Sequence, residues 1–231
     1  MHVTAIVPAG GGGRRMGAAL PKQFLLLRGR PLLLWTLEAL LASPRIGHLI
    51  VAVPPGTEAQ VAAEVLAPAG VRVDTLVSGG AERQDSVRAG LAAAPPETDL
   101  ILVHDAARPL ITPAILEAAL DAAAAVGGAV VAVPVTDTIK RAAADGRVDE
   151  TLARGRLWAA QTPQIFRADW FRSAHARAAA DGFLGTDDSA LVERMGYPVA
   201  LVPGSPENLK ITVGADLDAA EQILRRRAEG A

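Results

Sequence analysis

Short apolar runs rich in β-branched residues recur along the chain at residues 3–7, 49–53, 71–77, 100–103 and 129–133. Each is of strand length and reads as a buried strand. Between them, residues 31–42, 58–66, 82–93 and 113–125 are longer Ala-, Leu- and Glu-rich stretches with helical spacing, each bounded by Pro, Gly, Ser or Thr. This alternation predicts an α/β fold, a Rossmann-like and mostly parallel sheet with helices on both faces. In such sheets ligands gather at the carboxyl ends of the strands. The Gly10 loop, Ser78-Gly79-Gly80 and Asp105 all follow strands, so topology alone directs them to one edge.

The rhythm breaks at residues 136–156. Polar, alternating segments there flank Ala144-Asp145-Gly146, which predicts a protruding β-hairpin arm. Such an arm has little apolar surface of its own and is either a plain surface hairpin or packs on a second copy of the chain. The Ala-rich tracts at residues 122–125 and 178–180 fit helices, and no internal repeat or disordered linker is evident.

Composition narrows this picture. A length of 231 residues suits one domain spanning 1–231. The 25 acids nearly balance 23 Lys and Arg, which excludes a generally basic, nucleic-acid-coating surface while leaving room for local cationic sites. With no cysteine, disulfides and thiolate metal sites are impossible. The first residues lack the basic start and long apolar core of a signal peptide, and no apolar run reaches membrane-spanning length, so a cytoplasmic location is expected.

The chemistry begins at Gly10, Gly11, Gly12 and Gly13. Without Cβ atoms they can turn sharply and bring backbone N–H groups close to an anion. Arg15 can grip phosphate oxygens in two-pronged fashion and Lys22 adds a movable point charge, a combination suited to a polyphosphate. Neither common phosphate motif is present. Gly12 and Gly17 are followed by Ala18 and Ala19 where a P-loop needs Lys and Ser or Thr, and the dinucleotide fingerprint would need glycine at Arg15 or Met16.

Asp105 ends an apolar run and faces this loop, which suits a ligand of Mg2+; the plainer role is capping of the following turn. His104 beside it reads as a hydrogen-bonded core histidine. Gly79, Gly80 and Ser86 offer close backbone approach and a hydroxyl for a flat base, although Ser86 also suits a helix start. No Gly-x-Ser-x-Gly occurs, and the four histidines show no zinc spacing. Farther on, Thr186 can cap a helix running through Asp187 and Asp188, and Lys210 can be a solvated charge.

Taken in order, Pro-Ala-Gly-Gly-Gly-Gly-Arg-Arg-Met with Pro-Lys-Gln, Gly-Gly-Ala-Glu-Arg-Gln-Asp-Ser-Val, Val-His-Asp-Ala-Ala-Arg-Pro, Asp-Thr-Ile-Lys, Gln-Thr-Pro-Gln, Thr-Asp-Asp and Asn-Leu-Lys-Ile-Thr resemble the 2-C-methyl-D-erythritol 4-phosphate cytidylyltransferase family over nearly the whole chain. The resemblance implies a GT-A-like nucleotidyltransferase fold and a homodimer joined partly by the arm. The implied reaction, in the non-mevalonate isoprenoid pathway, is that of CTP with methylerythritol phosphate, aided by Mg2+, to give the cytidine-diphospho product and pyrophosphate.

Carried over by position, Ala9, Gly10, Gly11, Gly12, Gly13, Arg15, Lys22, Gly80, Ala81, Ser86, Asp105 and Ala106 would bind CTP. Asp105, Arg108, Thr138, Arg154, Thr162, Thr186 and Lys210 would bind the acceptor, with Thr138 and Arg154 reaching over from the partner's arm. Arg15, Lys22 and Lys210 would be catalytic, and Asp105 would organise Mg2+. The chain departs from the family pattern at Gly10, where a second Ala is more usual, at Ala81, which can be acidic, and at Gly214, where Pro is frequent. A ribitol 5-phosphate cytidylyltransferase and a nucleotide-binding regulator are the competing readings.

Overall fold

The structure is a computed structural model and describes residues 1–10 and 25–229. Its strands are β1 (Val3–Pro8), β2 (Leu26–Leu27), β3 (Arg30–Pro31), β4 (Ile46–Val53), β5 (Thr75–Ser78), β6 (Leu100–Val103), β7 (Gly128–Pro134), β8 (Lys140–Ala142), β9 (Val148–Thr151), β10 (Trp158–Arg167) and β11 (Ala200–Pro203). The helices are α1 (Leu32–Leu41), α2 (Glu58–Val61), α3 (Ala67–Ala69), α4 (Arg83–Ala93), α5 (Pro113–Val126), α6 (Ala168–Ala180), α7 (Asp188–Arg194) and α8 (Gly214–Glu229). A widened turn, Ala62–Leu66, makes α2 and α3 one continuous piece.

Among the described residues, seven strands form the central sheet in the order β11-β7-β10-β6-β1-β4-β5. The β1–β4, β1–β6, β4–β5 and β7–β11 pairs are parallel, whereas β10 runs antiparallel to both its neighbours. The sheet is thus mostly parallel, as the alternating pattern predicts. Side-chain alternation builds a core on each face. Ala5, Val7, Leu49, Val51 and Leu102 pack with Leu33 and Leu37 of α1 and Leu116 and Leu120 of α5. Ile6, Ile50, Ile101 and Val103 pack with Val87 and Leu91 of α4, Phe171 of α6 and Leu191 of α7.

Two local departures have physical reasons. The expected strand at 71–77 is paired only from Thr75, because Asp74 meets Leu49 with both its backbone and its side chain: the Asp74 carboxylate accepts from the Leu49 amide at 2.8 Å while the Asp74 amide donates to the Leu49 carbonyl at 2.9 Å. β10 carries Pro163 in the interior of the sheet, and its ladder with β7 is interrupted between Ala160 and Gln164, where the missing proline N–H costs no pairing.

The polar stretch at 136–156 is a hairpin of β8 and β9, closed by an Ala143 amide to Arg147 carbonyl bond of 2.8 Å. Both strands are exposed along their whole length. No helix among the described residues is long and apolar enough to cross a membrane.

Candidate active site

The end of β4 brings two loops together. The Ala9 amide donates to the Ala52 carbonyl and the Gly79 amide to the Val53 carbonyl, each at 2.7 Å. The two chains then pass so closely that a Cβ on Gly79 would lie 2.8 Å from Ser86 Oγ and 3.3 Å from Gly10 Cα. Only glycine fits this approach. Ser86 is buried, its hydroxyl accepting from the Gly80 amide at 3.1 Å and donating to the Glu82 carbonyl at 3.3 Å. Glu82 is the residue that begins α4, its carboxylate and that of Asp85 capping the helix reciprocally, so Ser86 lies inside the first turn and serves as a clamp on the glycine loop.

Asp105 stands just beyond β6 and does not cap the following turn with its carboxylate. Its Oδ1 accepts from Arg83 Nε at 2.9 Å, its Oδ2 meets Lys210 Nζ at 2.8 Å, and Arg108 Nε lies 3.7 Å away. Arg83 also reaches Asp188 with Nη1, at 2.7 Å. Burial alone would push the Asp105 carboxyl up; the adjacent Arg83 and Lys210 cations outweigh it and hold the group well below the usual carboxylate range. Burial raises Asp188, an effect that Arg83 opposes. Three cations, Arg83, Lys210 and Arg108, thus surround Asp105, and Arg83 ties it to Asp188.

Behind Asp105 lies a buried polar layer. His104 is fully buried, and burial pushes its imidazole down to about 4. Its Nδ1 lies 3.0 Å from Thr162 Oγ1 and its Nε2 3.0 Å from the Arg108 carbonyl. The core role expected of His104 is therefore observed. The Asn208 side chain, also fully buried, donates to the Thr162 carbonyl at 2.9 Å and to Gln161 Oε1 at 3.1 Å, and the Asn208 backbone carbonyl accepts from Arg108 Nη1 at 2.6 Å.

One cleft is lined by Ala9, Gly10, Gly80, Ala81, Ser86, Asp105, Ala106 and Lys210 together with Arg83. Eight residues singled out from the sequence thus meet at one place. Lys210 is an ion-pair partner there, not a solvated charge. Arg108 and Thr162 touch Asp105 from the buried side. Thr186 lines an adjoining cleft with Arg83 and Asp188. It does not cap α7: Asp187 does, accepting from the Ala190 amide at 3.0 Å, because its extended backbone points the carboxylate into the helix start. Thr138 and Arg154 sit at the base of the arm, outside both clefts, where Arg154 donates to the Thr136 carbonyl. Gly11, Gly12, Gly13, Arg15 and Lys22 lie outside the described residues.

Arg83, Asp188 and Asn208 join the site without a local sequence pattern that marks them. Arg83 stands three residues past Gly80 and Asp188 is the second acid of Thr-Asp-Asp, and only the fold brings the two together.

Among the described residues, no three His, Cys, Asp or Glu side chains are grouped to hold a metal ion. Asp105 offers one carboxylate. That suffices for Mg2+ when phosphate oxygens and water supply the remaining ligands, so the donor set fits an ion that arrives with a polyphosphate.

A family model described as 2-C-methyl-D-erythritol 4-phosphate cytidylyltransferase matches residues 3–226. A protein of that name from Symbiobacterium thermophilum is 48% identical over 226 residues, covering 98% of this chain and 94% of its own. One from Pelotomaculum thermopropionicum is 46% identical over 226 residues, covering 97% and 95%. The crystal structure of the Thermus thermophilus 2-C-methyl-D-erythritol 4-phosphate cytidylyltransferase superposes with a TM-score of 0.80 at 38% identity, covering 97% of this chain and 100% of that one. That of 4-diphosphocytidyl-2C-methyl-D-erythritol synthase from Anaerococcus prevotii does so with 0.85 at 27% identity, covering 97% and 98%. Matched over residues 3–226 and 48% identical to such a relative along nearly its whole length, the chain belongs to the 2-C-methyl-D-erythritol 4-phosphate cytidylyltransferase family.

Proposed function

We propose that this protein joins CTP and 2-C-methyl-D-erythritol 4-phosphate to give 4-diphosphocytidyl-2-C-methyl-D-erythritol and pyrophosphate. The observation that carries the reading is the meeting of Asp105, Lys210 and Arg83 with the backbone of Gly10 and Gly80 in one cleft, in a chain of this family. The glycine backbones take the nucleotide, with Ala81 and Ser86 beside the base. Arg15 and Lys22 hold the triphosphate. Lys210 and Arg108 draw in the acceptor phosphate, with Thr162 and Thr186 nearby.

The acceptor phosphate oxygen attacks the α-phosphorus of CTP, the bond to the β-phosphate oxygen breaks, and pyrophosphate departs with that electron pair. No protein nucleophile is needed, so positioning and charge stabilisation carry the rate. Asp105 is the residue that would hold Mg2+, which supplies charge neutralisation on the triphosphate when bound. Lys22 acts on charge developing on the leaving group, and Lys22→Ala is expected to fold normally while losing turnover by roughly 100-fold or more, measured in steady-state kinetics.

The chain is further proposed to act as one domain in a cytoplasmic homodimer, with Thr138 and Arg154 of each arm completing the partner's acceptor site. The mechanism is tested with CTP carrying a chiral sulfur-substituted α-phosphate. A single in-line displacement gives inverted configuration in the product. Retained configuration would mean a covalent nucleotidyl intermediate, and no product from this substrate pair would overturn the assignment.

A further inference from the structure

The His104 ring lies between the turn that carries Asp105 and Arg108 and the β10 residue Thr162, and its hydrogen bonds can be assigned atom by atom. Its two partners are a carbonyl and a hydroxyl, both neutral, and the ring is fully buried. The Arg108 carbonyl, 3.0 Å from Nε2, can only accept, so Nε2 carries the proton. Nδ1 of the neutral ring is then bare. It can only accept, and the Thr162 hydroxyl 3.0 Å away must donate to it.

The same hydroxyl oxygen accepts from the Asp105 backbone N–H at 3.0 Å. Its one hydrogen and one of its two lone pairs are therefore committed. The hydroxyl thus ties the His104 ring on one side to the Asp105 backbone on the other. The Arg108 amide closes the loop by donating to the Asp105 carbonyl at 3.0 Å.

We propose that His104 is a positioning residue: by fixing the direction of the Thr162 hydroxyl it sets the Asp105–Arg108 turn, and so the charges that this turn presents to the acceptor. The part that concerns the acceptor rests on the transfer reaction proposed above; the proton arrangement does not.

Two measurements test it. Nitrogen NMR of the unmodified protein labelled in histidine, with the His104 signals identified by their loss in His104→Gln, is expected to show a neutral ring protonated at Nε2 at neutral pH. A ring protonated at Nδ1, or at both nitrogens, overturns the proposal whatever the activity. In the transfer assay, His104→Phe and Thr162→Val are each expected to lower kcat/KM for the acceptor by roughly 10-fold or more. Thr162→Ser, which keeps the hydroxyl, loses less than Thr162→Val. Because both residues act through one chain of hydrogen bonds, the double variant His104→Phe/Thr162→Val is expected to be no worse than the worse single one. Losses that multiply would mean independent roles and overturn the proposal. If neither CTP nor UTP reacts with any acceptor, the reaction assignment fails while the NMR result still decides the proton arrangement.

Discussion

The cleft and the hairpin arm are both laced by arginine–carboxylate pairs of nearly equal length. In the cleft Arg83 lies 2.9 Å from Asp105 and 2.7 Å from Asp188, whose side chains are only 10% and 2% exposed. On the arm Arg141 lies 2.7 Å from Asp149 and 3.0 Å from Glu150, each 48% exposed. Distance does not rank these pairs; access of water does. The cleft charges have given up hydration and depend on one another, so their positions are fixed before a substrate arrives. The arm charges keep their water and fix little.

The largest effect expected from this contrast follows removal of the shared cation. Arg83→Ala leaves two buried carboxylates without their common partner and is expected to cost about 3–5 kcal/mol in denaturant unfolding. A loss below about 1 kcal/mol would put the cleft pairs in the same class as those of the arm.

Acid provides a second test. Burial pushes both His104 and His175 down to about 4 from 6.5, and neither nitrogen of His175 has a hydrogen-bond partner among the described residues. Between those values the unfolded chain binds protons that the folded one does not. Stability is therefore fully present above about 6.5, falls as the pH drops through this window, and levels off below about 4 so far as these two groups are concerned, by about 3 kcal/mol for each ring. His175→Leu is expected to remove about half of that slope in urea melts taken across the range.

The smallest effect belongs to the arm. Arg141→Ala is expected to shift unfolding by about 0–1 kcal/mol. Replacing residues 140–151 by a short Gly-Ser turn is expected to leave the sheet folded and to turn a dimer into a monomer in sedimentation. A variant that still sediments as a dimer would remove the arm from the interface.

How much of this was legible in the chain depends on how local the signal was. β1, β4, β6 and β7 announced themselves because buried parallel strands are continuous apolar runs, and the arm because its turn and alternation are contiguous in sequence. β10 was hidden: Gln161, Thr162, Pro163 and Gln164 are buried yet polar or without an N–H, and only the neighbouring strands and Asn208 make that segment a strand. The site was legible where a loop follows a strand, as at Gly10, Gly80 and Asp105. It was illegible at Arg83 and Asp188, because an ion pair between the starts of α4 and α7 leaves no trace in local pattern. The sequence pattern places the cap at Thr186, one residue early, since Thr and Asp are both good caps and only the backbone decides between them.

The central claim is the pairing of one nucleotide with one acceptor, and the most direct measurement is pyrophosphate release in the presence of Mg2+ with CTP or UTP and methylerythritol phosphate or ribitol 5-phosphate in all four combinations. Release only from CTP with methylerythritol phosphate is the result expected. Release only with ribitol 5-phosphate, or nucleotide binding without release from any pair, would contradict it.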